Sequence, residues 1–193
     1  MNDVGSQIHS MSEDIISDFK DIYREPTPLM SLLSSSSVPS GKDISGGLKY
    51  NNYGIHGTGL STAVDSLAAI KKFVFDDKSV SLQELCSAME SDFEGYESLM
   101  NQLRFSEWKI GNDIDEVDEI ACQLLDWFAE ALEGKRNDRG GIFRPGTGSA
   151  MYYIWHSQGV QATPDGRRKG EALACNYSPG LFTRCKGPVS IIK

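Results

Sequence analysis

Apolar residues along this chain fall mostly at helical spacing, and Gly, Pro and capping residues mark the breaks between those stretches. Ile15, Ile16, Phe19, Ile22 and Tyr23 line one face of a predicted helix over 12–24, behind Ser12 as its N-cap. Pro26 and Pro28 interrupt it, and Leu29–Leu33 predicts a short resumption. A second stripe, Leu60, Val64, Leu67, Ile70, Lys71 and Val74, predicts a helix whose Ala63, Ala68 and Ala69 permit close contact with a neighbour. Ser81 and Glu84 form a capping box that opens another helix, with Leu82, Leu85, Met89 and Phe93 inward. Gly95 breaks or kinks it before Tyr96–Leu103 continues.

Gly111 and Asn112 make a turn, and Asp113 or Asp115 caps a long helix. Val117, Ile120, Leu124, Trp127, Phe128 and Ala131 face inward there, and Gly134 is its C-cap. The acids at its start (Asp113, Asp115, Glu116, Asp118, Glu119) suit the positive end of the helix dipole, which accounts for them without catalysis.

Beyond residue 141 the pattern changes. IFRPGTGSAMYYIWH is rich in β-branched and aromatic residues and predicts a strand interrupted at Pro145 and Gly146. Alternation along Gly146–Trp155 sets Thr147, Ser149 and Met151 on one face, and Gly148, Ala150 and Tyr152 on the other. TPDGR (Thr163–Arg167) is a turn signature, and the closing VSIIK predicts a strand. SSSSVPSGKDISGG has the composition of a linker.

Composition narrows the classes of function. A formal net charge of −8 argues against a nucleic-acid surface. No apolar run approaches the roughly 20 residues that span a bilayer, and the N-terminus lacks a secretory layout, so a cytoplasmic protein is expected. The 4 cysteines show no CxxC pairing and no His at ligand spacing, and no metal site is readable. Cys86 and Cys122 read as reduced core thiols; Cys175 and Cys185, in Gly/Pro-rich sequence, read as more exposed.

Candidate chemistry is local and sparse. GIHGTG before the Leu60 helix is either a strand-to-helix turn or an anion cradle, and it lacks both the Walker and the dinucleotide order. His56 lies in that turn. The Thr147, Ser149 and Met151 face is the best local candidate for lining a substrate. Arg167 and Arg168 either clamp an anion or fasten their loop to neighbouring groups.

Three blocks in order, YGIHGTGLSTAVDSLAAIKK (Tyr53–Lys72), GNDIDEVDEIA (Gly111–Ala121) and ATPDGRRKGE (Ala162–Glu171), resemble the glycyl radical enzymes, the family of pyruvate formate-lyase. The resemblance implies an α/β fold, part of a ten-stranded α/β barrel, mostly helical in this stretch. It covers 26–193 of a partial pyruvate formate-lyase-like domain, after an N-terminal helical segment over 1–25. It also implies that the PTPLMSLL-to-GKDI region is ordered, and that the strand at 146–155 belongs to the barrel around the radical site.

In such enzymes a radical-SAM activase installs a glycyl radical, which oxidises a cysteine; the thiyl then takes hydrogen from substrate. This sequence has neither the Gly-Cys loop nor the Arg-Val-x-Gly loop, so no catalytic residue carries over, and an internal piece of a larger, dimeric catalyst is expected. Its implied partners are the remainder of the barrel and the activase, and no cofactor is expected in this chain itself. Formate acetyltransferase, dehydratase and arylacetate-type decarboxylase chemistries stay open, the aromatic GTGSAMYYIWH run leaning to the latter two. The alternative is a non-catalytic, degenerate module that associates with an intact paralogue. A partial barrel is further expected to leave strand edges unpaired and prone to aggregation.

Overall fold

The computed structural model describes residues 2–19 and 25–192. They form an α/β chain that is mostly helical, with one two-stranded sheet, and they divide into two compact units. The first unit takes residues up to Ile55 together with Leu125–Gly146; the second takes His56–Leu124 and the residues from Thr147 onward.

In the first unit, α1 (Asn2–Asp18) starts well before the predicted position. Ser12 is therefore inside the helix rather than capping it, and its Oγ donates to the Ile8 carbonyl at 2.8 Å. The predicted Ile22 and Tyr23 lie outside the described residues. The predicted short helix is α2 (Pro28–Leu33), and the linker-like run after it is ordered as α3 (Ser37–Ser40) and α4 (Ile44–Gly47).

Asp43 staples this region. Its Oδ1 accepts from the Ser45 N–H at 2.9 Å, while Oδ2 accepts from the Thr27 N–H and the Ser31 hydroxyl, both at 2.9 Å. These donors, the Ser45 N–H foremost, hold its carboxyl well below the usual carboxylate range. Composition alone misses such a staple, because it depends on where one acid falls.

β1 (Tyr53–His56) pairs with β2 (Phe143–Gly146). Tyr53 and Ile55 point to the same side of β1 and pack with Leu132 and Phe143, against which Ile15, Ile16, Phe19 and Phe128 are laid. Leu132 comes from the long helix α8 (Asp115–Leu132), which Gly134 follows at φ +69.

In the second unit, Gly59 enters α5 (Leu60–Ala69) at φ +76, where an added Cβ would lie 3.2 Å from Leu173. Helix α5 is buried on more than the predicted stripe. Val64 and Ala68 are inside as expected, yet Ser61, Thr62, Asp65 and Ser66 are buried too, while Lys71 is exposed. The helix continues as a π-helix, Ile70–Asp76. Its wider turn brings residues five apart together, which fits the ion pairs Lys71–Asp76 at 2.6 Å and Lys72–Asp77 at 3.0 Å.

Helix α6 (Leu82–Glu90) begins with the predicted cap, Ser81 Oγ accepting the Glu84 N–H at 3.1 Å. With α7 (Glu97–Arg104) it encloses Leu85, Ala88, Phe93, Leu99 and Leu103. Leu82 is exposed, contrary to expectation, because Leu85 and Ala88 define the inner face. For the same reason Cys86, one position off that face, is exposed, as is Cys122 on α8; neither is a core thiol. Cys175 and Cys185 are the more shielded pair.

The strand predicted from Ile142 forms only as β2, and two of the predicted strand stretches are helices instead. Past Gly146 the chain turns through Ala150 at φ +43 into α9 (Tyr152–Ser157), and Val189–Ile192 of the closing stretch lies in α10 (Pro188–Ile192). Aromatic and β-branched residues mark strands only when a partner strand is available; here Pro188, with its φ preset for a helix start, opens α10 instead. Among the described residues, exposed large apolar side chains lie on helices, such as Leu32, Leu33 and Trp155, and also in loops, such as Tyr50 and Leu181. No described helix is long and apolar enough to cross a membrane.

Candidate functional site

The second unit contains all the residues singled out from sequence. With 147–151 not in a strand, the alternation that grouped Thr147, Ser149 and Met151 does not exist. Ser149 is buried and turned toward Asn176, whose Oδ1 accepts from its N–H at 2.7 Å and lies 3.1 Å from its hydroxyl. Thr147 is half-buried and Met151 is exposed. His56 is exposed and meets the other face of the old pattern: its Nδ1 lies 3.2 Å from where a Cβ on Gly148 would stand. Glycine at 148 therefore makes room for the imidazole.

Arg167 is 3% exposed, and all its guanidinium donors are engaged inside the loop. Nε donates to Thr163 Oγ1 at 3.2 Å, one Nη to the carbonyls of Arg168 and Glu171 at 2.9 and 2.7 Å, and the other to those of Val160 and Gln161. An arginine saturated in this way is a fastener with no donor left for a ligand. Burial pulls its pKa down, opposed chiefly by Asp165 and Glu171. Arg168 is half-buried, its N–H donating to Glu171 Oε2 at 2.7 Å and its Nε lying 3.2 Å from Met100 Sδ.

Around this loop the structure assembles a charged cluster that sequence reading missed. Gly166 turns at φ +87 against α7, where a Cβ would lie 2.7 Å from both the Arg104 nitrogen and the Met100 carbonyl oxygen. That approach lets Arg104 Nε donate to the Gly166 carbonyl at 2.8 Å and Nη2 pair with Glu171 at 2.5 Å. Its guanidinium sits 4.1 Å from the centre of the Phe182 ring.

Lys109, 3% exposed, donates to the Asp165 carbonyl at 3.1 Å and lies 3.7 and 3.9 Å from the carboxylates of Asp65 and Asp165. Asp65, 1% exposed, accepts the Ile110 N–H at 2.8 Å. Burial pushes its carboxyl up to about 7, with the Lys109 ammonium and the Ile110 N–H acting in the opposite sense.

The signal for Asp65 was present in sequence, since Ser61, Ala68 and Ala69 mark a second face of α5 made of small residues. For Lys109 and Arg104 there was none, because their partners lie 56 and 62 residues away. The cavity these groups line is about 20 Å³, far too small for an organic substrate. A larger cavity of about 410 Å³ in the first unit is lined by Pro26, Pro28, Leu32 and Val38, with Lys42 and the already saturated Asp43. In the larger cavity the Ser31 hydroxyl donates to Asp43 at 2.9 Å, a bond already committed to stapling that region. What the second unit's cluster does is lock a polar loop against α5 and α7.

Comparison with known proteins gives this architecture its family. The family described as pyruvate formate lyase-like matches residues 7–156. The trans-4-hydroxy-L-proline dehydratase of Clostridioides difficile is 34% identical over 169 residues, covering 87% of this chain and 21% of that protein. The (2S)-3-sulfopropanediol dehydratase of Klebsiella oxytoca is 33% identical over 175 residues, with the same coverage of 87% and 21%. Among solved structures, a glycyl radical enzyme from Archaeoglobus fulgidus superposes with a TM-score of 0.79 at 31% identity, over 91% of this chain and 23% of that one.

The chain belongs to the pyruvate formate lyase-like family of glycyl radical enzymes. It spans about a fifth of the length of the curated relatives it matches.

Proposed function

We propose that this chain is a section of the barrel wall of a glycyl radical dehydratase, working in the cytoplasm only as part of the whole enzyme. One observation carries the reading: two relatives matching 87% of the chain are both dehydratases, of a hydroxylated amino acid and of a sulfonated diol. It favours elimination from a hydroxylated substrate over acyl transfer. Residues 1–193 then form one partial pyruvate formate-lyase-like domain, and the rest of a ten-stranded barrel, in a dimer, supplies the thiyl cysteine and the glycyl radical. A radical-SAM activase installs that radical.

The exposed rings of Tyr152 and Trp155 suit a wall that packs against further chain. Within that wall, His56 beside Gly148 is the candidate for a substrate-facing position.

A chimera tests the proposal. Residues 1–193 replace the matching fifth of the hydroxyproline dehydratase, and the product is activated anaerobically with that enzyme's activase. We expect a glycyl radical signal by electron paramagnetic resonance and measurable dehydration, with neither from the isolated chain. Turnover by the isolated chain would overturn the wall assignment. A chimera that carries the radical but catalyses acyl transfer in place of dehydration would overturn the reaction class.

A further inference from the structure

Three buried polar groups of the second unit have hydrogen-bonding capacity that nothing among the described residues uses, and all three line the same small cavity. Lys109 Nζ has three N–H donors but places only one, on the Asp165 carbonyl at 3.1 Å; the carboxylate oxygens at 3.7 and 3.9 Å are beyond hydrogen-bond length. Asp65 takes the Ile110 N–H on Oδ1 at 2.8 Å, and Oδ2 accepts nothing within bonding distance. Thr183 Oγ1 is buried without a partner.

Of the other polar groups on the cavity wall, Asp165 Oδ1 accepts the Thr163 hydroxyl at 2.5 Å while its Oδ2 stands 3.9 Å from Lys109 Nζ. Thr62 Oγ1 accepts the Ala174 N–H at 2.9 Å, and Arg104 and Arg167 are committed to the loop. The cavity measures about 20 Å³, above the roughly 10–15 Å³ that one water occupies. Ala172, Ala174, Leu181 and Phe182 line the rest of it with apolar surface.

We propose that this cavity binds one structural water, held jointly by Lys109 Nζ, Asp65 Oδ2 and Thr183 Oγ1. The water accepts from the ammonium, donates to the carboxylate and bonds the hydroxyl, reaching the usual number of partners for a buried water. It turns a lysine–aspartate approach too long for direct contact into a bridged one. It also ties the 180–183 turn to α5, a link that no direct hydrogen bond supplies. The inference rests on this geometry alone and is independent of the enzyme's reaction class.

A high-resolution crystal structure of the chain tests it directly. We expect a solvent peak within hydrogen-bond distance of all three atoms. Direct contact between Lys109 Nζ and Asp65 Oδ2, with no solvent between, would overturn the proposal. Thr183→Val removes one ligand while keeping the side chain's shape. The peak should weaken, and the Ile110 amide, which is bonded to Asp65, should exchange with deuterium about fivefold faster. Thr183→Ser, which keeps the hydroxyl, should restore both. An unchanged peak and exchange rate in Thr183→Val would remove Thr183 from the site and sink the three-ligand assignment.

Discussion

The loop from Thr163 to Glu171 buries Arg167 to 3% exposure among accepting oxygens, whereas Met151, Tyr152 and Trp155, a few residues earlier, stand 53%, 49% and 56% exposed. By hydropathy the order should be reversed. The difference lies in what each stretch can complete for itself. The loop's guanidinium, carboxylates and carbonyls satisfy one another, so burial leaves no donor of Arg167 stranded. Around α9 the rings pack on one another, Tyr152 against Trp155 at 5.5 Å and against His156 at 5.6 Å, and stay about half exposed. Polarity therefore does not decide depth in this unit; whether partners are at hand does.

The strongest attack on that contrast removes the loop's hub. Arg167→Ala strands the carbonyls of Val160, Gln161, Arg168 and Glu171, and should destabilise the chain by about 3–5 kcal/mol in urea unfolding. Arg167→Lys should recover little, because a point charge cannot serve oxygens spread around a planar fork. A loss below about 1 kcal/mol would mean that the loop is held by other contacts. Gly166→Ala comes next. A Cβ there meets α7 backbone at 2.7 Å from a residue already at φ +87, so roughly 2–4 kcal/mol should be lost by the same measurement.

These two residues also show where sequence reading stops. The turn at Thr163–Arg167 was legible because Pro-Asp-Gly encodes it locally, and the Gly166 N–H does return to the Thr163 carbonyl at 3.0 Å. The Ser81 cap and the Gly134 helix end were legible for the same reason. What the turn packs on was not, since Arg104, Lys109 and Asp65 reach it across long stretches of chain. The strand expected over 146–155 does not extend past Gly146, because aromatic and β-branched content holds a strand only where another strand pairs with it. Of the candidate substrate wall, His56 beside Gly148 is a contact in the structure, whereas the Thr147–Ser149–Met151 face lost its basis along with the strand.

A smaller effect, read through pH, probes the cost of placing a carboxylate in the cluster. Asp65 is raised from its ordinary 3.8 to about 7, principally by burial, with Lys109 and the Ile110 N–H opposing and Asp165 adding to the rise. Between those values the folded chain holds a proton that the unfolded chain has released. This group's contribution to stability is therefore largest on the acid side and falls away as pH climbs toward 7. Asp65→Asn keeps an oxygen for the Ile110 N–H and removes the titration, so the decline between pH 4 and 7 should flatten. Equal slopes for the two proteins, followed by chemical denaturation at successive pH values, would show that Asp65 stays ionised in the fold.

The smallest effect on folding is expected where the side chain is largest. Trp155→Ser deletes an indole that is more than half exposed and whose ring neighbour among the described residues is Tyr152, so unfolding free energy should move by no more than about 0.5 kcal/mol. Self-association should respond in the opposite proportion. Tyr152 and Trp155 give the isolated chain an apolar surface that the wall reading assigns to the remainder of the barrel, and such surfaces drive unspecific association when left open. Light scattering at matched concentration should show less association in Trp155→Ser than in the parent chain. A large loss of stability in that variant would place the indole in the unit's own core and erase the contrast with Arg167. Unchanged scattering would point to another surface of the chain as the adhesive one, with the exposed Leu29, Leu32 and Leu33 of the first unit next to be substituted.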